Sequence, residues 1–381
     1  MPKLSDITNA ALQAMSIKYN TRVYEMKQAG KDVLVMSLGE AFFDIPLLSF
    51  NDLPYPDLFH YSHSRGLLNL RKKLSDYFLK QYNFPFNPEN EILITAGSKA
   101  AIHMVFMSIL DPGDEVIIPE PLWVSYPEEV KLCYGIPVTI PHNKTVFDFE
   151  NYITKHTQAI IITNPNNPTG YVYKKKELEY LLKLAQKYNI WLLSDEAYSD
   201  FVNDNSFYSL GSLDREKSHI VVFNSISKNY GISGWRLGYA ISNEGLIFNL
   251  LKVNQHLITC PATILEHYII KYFDEILKIT KPQIFEIVEK RNRIAQFMDS
   301  IKLKYKEGTA TFYFFVSISP TKLSSEEFCN VLLEKEQISV VPGIGYGKSC
   351  DKFIRISIGT ETEEKNKYGL IKIRELIDKT K

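Results

Sequence analysis

Cysteine is scarce. The 381 residues hold four, at Cys133, Cys260, Cys329 and Cys350, scattered and with no Cys-x-x-Cys. No histidine pair stands near them at metal-ligand spacing. The pattern excludes a disulfide framework, points to no metal site, and predicts reduced thiols in a cytoplasmic protein. Net charge is missing as well: 44 Lys and Arg balance 44 Asp and Glu. Neither nucleic acid nor an anionic membrane is therefore expected as a partner. The longest apolar runs are strand-sized, and the polar start MPKLSDITNA has no signal-peptide core, so no transmembrane helix or secretory leader is expected. Internal repeats, low-complexity tracts and long linkers are also lacking.

What remains is a chain that is 45% hydrophobic and long enough for two domains. A helix is predicted over 8–29, a short strand over 33–36 and a helix over 66–82. Strands and helices then alternate. Apolar strands are predicted at 91–95, 115–118, 137–140, 159–163, 190–194 and 220–224. Helices are predicted at 100–110, 125–132 and 175–188. Near-continuous apolar strands alternating with helices predict a mostly parallel sheet with helices on both faces. The last third changes character. Helices over 245–273 and 281–299 precede strands at 311–318 and 353–358, with helices at 324–335 and 363–379. The fold class is thus α/β, with a large domain over 46–285 and a smaller α+β domain built from 1–45 and 286–381.

Function in such a sheet sits beyond the carboxyl ends of the strands. Ala96-Gly97-Ser98-Lys99 follows the first of these strands and opens a helix, where free backbone N–H groups favour an anion. The next is followed by Pro119-Glu120-Pro121-Leu122-Trp123, whose indole offers a flat face to an aromatic ring. Asn167 lies in the stiff turn Asn164-Pro165-Asn166-Asn167-Pro168-Thr169-Gly170. Asp195-Glu196-Ala197-Tyr198 places a carboxylate at a strand end, costly unless it meets a cation, and a phenol three residues on. Last comes Ser225-Ile226-Ser227-Lys228, with Arg236 in Gly234-Trp235-Arg236. A lysine in a cleft has its amine freed for Schiff-base chemistry, and the hydroxyls and arginine suit a phosphate dianion. A phosphate cradle, a stacking indole, an amide, a carboxylate with a phenol, and a lysine together suggest pyridoxal phosphate.

In these motifs the chain resembles the class I/II aminotransferases, the fold-type I pyridoxal phosphate enzymes related to aspartate and aromatic aminotransferases. The resemblance implies that Lys228 carries the Schiff base and that Asp195 pairs with the pyridine nitrogen. It implies that Tyr198 and Asn167 bond the ring oxygen and that Trp123 stacks on the ring. Gly97, Ser98, Lys99, Ser225 and Arg236 match the phosphate cup. Tyr61-Ser62-His63-Ser64-Arg65-Gly66, with Leu70-Arg71, resembles a signature whose tyrosine reaches the phosphate of a neighbouring subunit, which implies a homodimer with shared active sites. Phe353-Ile354-Arg355-Ile356-Ser357 resembles the segment whose arginine grips the substrate α-carboxylate, and Gly39 is expected to offer it an N–H. Val341-Pro342-Gly343-Ile344-Gly345-Tyr346-Gly347 resembles a family loop, with Tyr346 in place of phenylalanine.

Two features depart from the family. Leu38-Gly39-Glu40-Ala41-Phe42 stands where relatives have Gly-Glu-Pro-Asp-Phe. Residues 47–60 carry two prolines and predict an extended segment where relatives have a helix. The expected reaction is amino transfer between an L-amino acid and a 2-oxo acid. A β-eliminating lyase or decarboxylase of the same fold is the alternative, because the same residues hold the cofactor in each. Lys99 has two readings: a backbone contact to phosphate, or a side chain that meets a distal substrate carboxylate.

Overall fold

The computed structural model describes residues 2–203 and 206–381. The chain opens with α1 (Asp6–Ala10), α2 (Met15–Gln28), β1 (Leu34–Val35) and α3 (Leu68–Tyr82). It alternates through β2 (Ile92–Thr95), α4 (Ser98–Ile109), β3 (Glu115–Pro119), α5 (Tyr126–Leu132), β4 (Ile136–Ile140), β5 (Thr157–Thr163) and α6 (Lys175–Tyr188). Then come β6 (Trp191–Asp195), β7 (Ile220–Ser225), the single turn α7 (Ile226–Asn229) and β8 (Gly238–Ile241). The last part holds α8 (Glu244–Leu257), α9 (Thr263–Ser300), β9 (Tyr313–Ser317), α10 (Ser325–Glu336), β10 (Ile338–Ser339), β11 (Val341–Pro342), β12 (Phe353–Ser357) and α11 (Glu363–Lys379).

Seven strands form one sheet in the order β2-β8-β7-β6-β5-β3-β4. Only β8 runs against its neighbours. The apolar strands are buried on both faces because their alternate residues enter different cores. Ile160 and Ile162 of β5 join one cluster with Ile220 and Val222 of β7. Ala159 and Ile161 join the other with Val221 and Phe223. This two-sided burial is what a continuous apolar strand requires. A second, antiparallel sheet (β11-β12-β9) packs in a separate core with Phe314, Val316, Ile354 and Ile356. The parallel pair β1–β10 ties the N-terminal segment to that part of the chain.

Three expectations are corrected. The helix over 8–29 is two, because Ala11 and Ala14 are extended and the Leu12 N–H is drawn to Glu128 Oε2 of the next layer at 3.0 Å. The break expected at 274–280 falls at 258–262 instead. There Thr259 takes the left-handed conformation (φ 77°), its N–H bonds back to Asn254 O, and Pro261 follows. α9 then runs 38 residues, with Pro282 inside and non-helical backbone at Tyr272. β8 was not expected at all. Its four residues, Gly-Tyr-Ala-Ile, follow the Gly234-Trp235-Arg236 turn directly and are too few for a periodic signal. Residues 47–60 hold no α-helix, as the two prolines predict.

Candidate active site

The parallel strands β2, β3, β5, β6 and β7 end on one side of the sheet, and a cavity of about 490 Å³ opens there against the three-stranded sheet. β7 ends at Ser225, whose hydroxyl caps the short turn α7 by accepting from Ser227 N. That turn raises Lys228 into the cavity. Its Nζ donates to Gly39 O at 2.5 Å and lies 5.9 Å from the Tyr198 ring centre. Burial lowers the Lys228 amine to about 8, against a smaller opposing pull from Glu40. Arg355 and Arg236 add to the lowering.

Asp195 ends the adjacent strand β6 and is 7% exposed. Burial pushes its carboxyl up to about 6 although two donors oppose the rise. These are Tyr126 Oη to Asp195 Oδ2 at 3.0 Å and Ala197 N to Oδ1 at 3.2 Å. No ion pair reaches this carboxylate among the described residues. It is poised for a cation that the chain itself does not supply. Tyr198 shares a hydrogen bond with Tyr313 at 2.9 Å between hydroxyls. Trp123 lines the cavity and meets Tyr126 edge to face at 5.2 Å.

An anion cradle closes one end. Ser98 begins α4, and the Ser225 and Ser227 hydroxyls and Arg236 stand nearby on the same wall. Arg236 sits at φ 56°, unusual for a side-chain-bearing residue, and its Nη1 donates to Ser233 O at 2.7 Å. Gly97 has φ 83°, and a Cβ there would lie 2.3 Å from Arg236 Nη2. The left-handed conformation asks for glycine, and a Cβ there would also push the Arg236 guanidinium aside. Arg236 has no carboxylate partner among the described residues, so its charge is free for a phosphate.

At the other end lies Arg355 on β12, 3% exposed. Its Nη2 donates to Ser37 O at 2.6 Å and its Nη1 to Asn167 Oδ1 at 3.4 Å, while Nε is buried without a partner. A buried guanidinium with an orphaned N–H and no counterion is built to receive a carboxylate. Gly39 borders the same space. Lys99 also points inward: its Nζ lies 5.0 Å from the Trp123 ring centre, and burial lowers its pKa.

The structure therefore brings Lys228, Asp195, Tyr198, Trp123, Asn167, Ser98, Lys99, Ser225, Arg236, Gly39 and Arg355 to one cavity, with Gly97 against Arg236. It does not bring Tyr61, which is 85% exposed and lines a neighbouring depression that shares Arg236. Arg71 of the same motif is buried in the first turn of α3, where it holds the carbonyls of Gly66 and Glu89 at 3.1 Å each. Sequence reasoning missed Tyr126, Tyr313, Glu40 and Asn20. Tyr126 had a signal, three residues after Trp123 at the start of a helix. Glu40 accepts from Ser233 Oγ, a contact across 193 residues that no local pattern announces.

The family model for aminotransferase class I and II matches residues 49–373. The aromatic-amino-acid aminotransferase 2 of Thermococcus litoralis is 31% identical over 90% of this chain and 91% of its own. An aspartate aminotransferase of Bacillus sp. YM-2 is 32% identical over 91% and 92%. Among solved structures, the aspartate aminotransferase of Thermus thermophilus with maleate superposes with a TM-score of 0.88 at 28% identity, covering 99% of this chain and all of the other.

Proposed function

The chain belongs to the class I and II aminotransferases, and on that footing we propose that its cavity holds pyridoxal phosphate at Lys228 and moves an amino group between dicarboxylic amino and 2-oxo acids. Transamination with this cofactor is the family's activity. The observation that carries the assignment to these residues is the pairing of Lys228 and Asp195 at adjacent strand ends, with the uncompensated Arg355 in the same cavity.

Bound there, pyridoxal phosphate supplies an aldehyde that a lysine amine can bond and a cationic ring that takes up the electrons of a broken Cα–H bond. The donor set fits it. Ser98, Ser225, Ser227 and Arg236 would hold the phosphate beside Gly97, Trp123 would face the ring, and Asn167 and Tyr198 would bond its oxygen. Asp195 would hold a proton on the ring nitrogen. Its carboxyl, raised by burial, gains most from a cation in contact. Lys228 Nζ takes the proton from the amino acid's Cα. An amine lowered to about 8 keeps a far larger neutral fraction at physiological pH than an ordinary lysine does, and it is still basic enough to accept the proton. Arg355 and Asn167 hold the α-carboxylate and so orient that bond.

Dicarboxylic substrates follow from Lys99. Its inward amine, without a carboxylate partner among the described residues, suits a distal carboxylate better than a phosphate already served by Arg236. The Thermus relative solved with maleate, a dicarboxylate, agrees with this. We expect Arg355→Ala to raise KM for every amino donor roughly 10²-fold. Lys99→Met should raise KM about tenfold for aspartate and glutamate and leave neutral donors unchanged. Steady-state kinetics over a donor panel, with the 2-oxo acid measured directly, check both. Ammonia release without a 2-oxo acid acceptor would instead mark a lyase.

The assembly we propose is a homodimer in which Tyr61 completes the phosphate site of the partner subunit. Its exposure beside Arg236 in one chain supports this. Tyr61→Ala and Lys228→Ala subunits are each expected to be impaired. Mixed and reassembled, they should recover activity, because one of the two shared sites is then wild type; no recovery would refute the sharing. No helix among the described residues is long and apolar enough to cross a membrane. The four free thiols fit our placement of the enzyme in the cytoplasm.

A further inference from the structure

We propose that a second cavity, next to the active site but sharing no lining residue with it, binds a small monocarboxylate with an apolar body. It measures about 280 Å³, room for a compound the size of an aromatic or branched amino or oxo acid. It lies at the carboxyl ends of β3, β4 and β5, the side of an open parallel sheet on which ligands sit.

The anion-binding end is Lys306 with His142. Lys306 Nζ donates to His142 Nδ1 at 2.9 Å and approaches His142 O at 3.4 Å. No carboxylate lies within ion-pair distance of it among the described residues. A half-buried ammonium held against an uncharged ring keeps its charge uncompensated. An imidazole that accepts from an ammonium at Nδ1 is neutral, so its Nε2 carries the hydrogen and adds a second donor. Burial and the nearby Lys306 both hold His142 below its ordinary range, in accord with that state.

The Glu120 and Glu177 carboxylates on the lining spend their hydrogen bonds on other donors, and of them only the Glu120 charge acts on His142. Glu120 is occupied by the Lys348 and Ser349 N–H groups and the Ser349 hydroxyl. Glu177 is occupied by the Tyr171 hydroxyl and Lys174 N–H. Glu307 and Lys144 are both exposed and of opposite sign. The apolar end is formed by Ile140, Val146 and Phe149, all buried.

Lys306 comes from a different part of the fold from His142 and the apolar end, which lie on β4 or follow it. Lys306 N–H bonds to Phe315 O of β9, and Phe315 faces Arg355 across the sheet. The apolar end belongs to the seven-stranded sheet, and Asn166 on its lining immediately precedes Asn167 of the active site. An occupant therefore bridges the joint between the two sheets.

The probe is 3-phenylpropionate, which has no amino or oxo group to react, titrated calorimetrically into the holoenzyme. Arg355→Ala removes the active-site grip on carboxylates, and in that enzyme one binding event should remain. Adding Lys306→Met should weaken it tenfold or more, Lys306→Arg should largely restore it, and Val146→Trp, which fills the apolar end, should abolish it. The uncharged 3-phenylpropanamide should bind at least tenfold more weakly than the acid. Absence of binding in the Arg355→Ala enzyme overturns the proposal. So does binding that neither Lys306→Met nor Val146→Trp alters in folded protein, and so does equal binding of acid and amide.

Discussion

Lys228→Ala should give a colourless protein with kcat reduced by about 10⁴-fold or more. The yellow absorbance of the holoenzyme requires an amine bonded to the cofactor, and among the described residues the other lysine on the cavity wall is Lys99, which stands over Trp123. A retained visible band would sink the assignment. The same residue predicts a pH effect in cofactor-free protein. Burial lowers the amine from 10.5 to about 8, so between these values the unfolded chain binds the proton that the folded chain releases. Wild-type stability rises with pH across that window. Lys228→Met removes the buried cation and should be the more stable protein below pH 8, with the advantage shrinking as pH climbs toward 10.5. Urea unfolding of both proteins at pH 7 and 10.5 measures the gap. A gap that stays constant would mean the amine is not desolvated in the fold.

Asp195→Asn should cut kcat by roughly 10²–10³-fold or more while the fold persists. The amide keeps the shape and can still accept from Tyr126 or Ala197, so the substitution isolates the negative charge. Without it no residue on the described cavity wall holds the ring nitrogen protonated, and the ring loses its pull on electrons from Cα. The cofactor should still bind through the phosphate cradle, which lies apart from β6. The readout is the single-turnover rate of amino-acid-driven loss of the visible band. Near-normal turnover would remove Asp195 from the mechanism.

Much of the fold was legible. β5, β6 and β7 read as apolar runs because both faces of a covered parallel sheet exclude water, and α6 lies over 175–188 as expected. The misses share a cause: tertiary contacts overrode local preference. Leu12 is held by Glu128 of α5, so a helical pattern is interrupted where nothing local interrupts it. α9 continues through Pro282, a residue that ordinarily ends a helix.

Within the site, residues that follow a strand directly were the readable ones. Lys228, Asp195, Asn167, Trp123 and Ser98 each stand within a few positions of a strand's carboxyl end, where chain direction alone dictates which side of the sheet they reach. Glu40, Asn20 and Tyr313 carry no such marker. They arrive from elements packed over the cavity, and their neighbours are set by how the two sheets meet.

Residue type and local spacing by themselves determined the α/β architecture and the inventory of chemistry: an amine, a carboxylate, an indole, an amide and a phosphate cradle at strand ends. Only the tertiary structure decided that Arg355, more than a hundred residues after Lys228, is buried without a counterion in the same cavity, that Lys99 points inward, and that Lys306 and His142 frame a second one. The reason is that periodicity reports which face of an element is apolar. The desolvation that turns a lysine or an arginine into a binding group depends on what other elements bring against it.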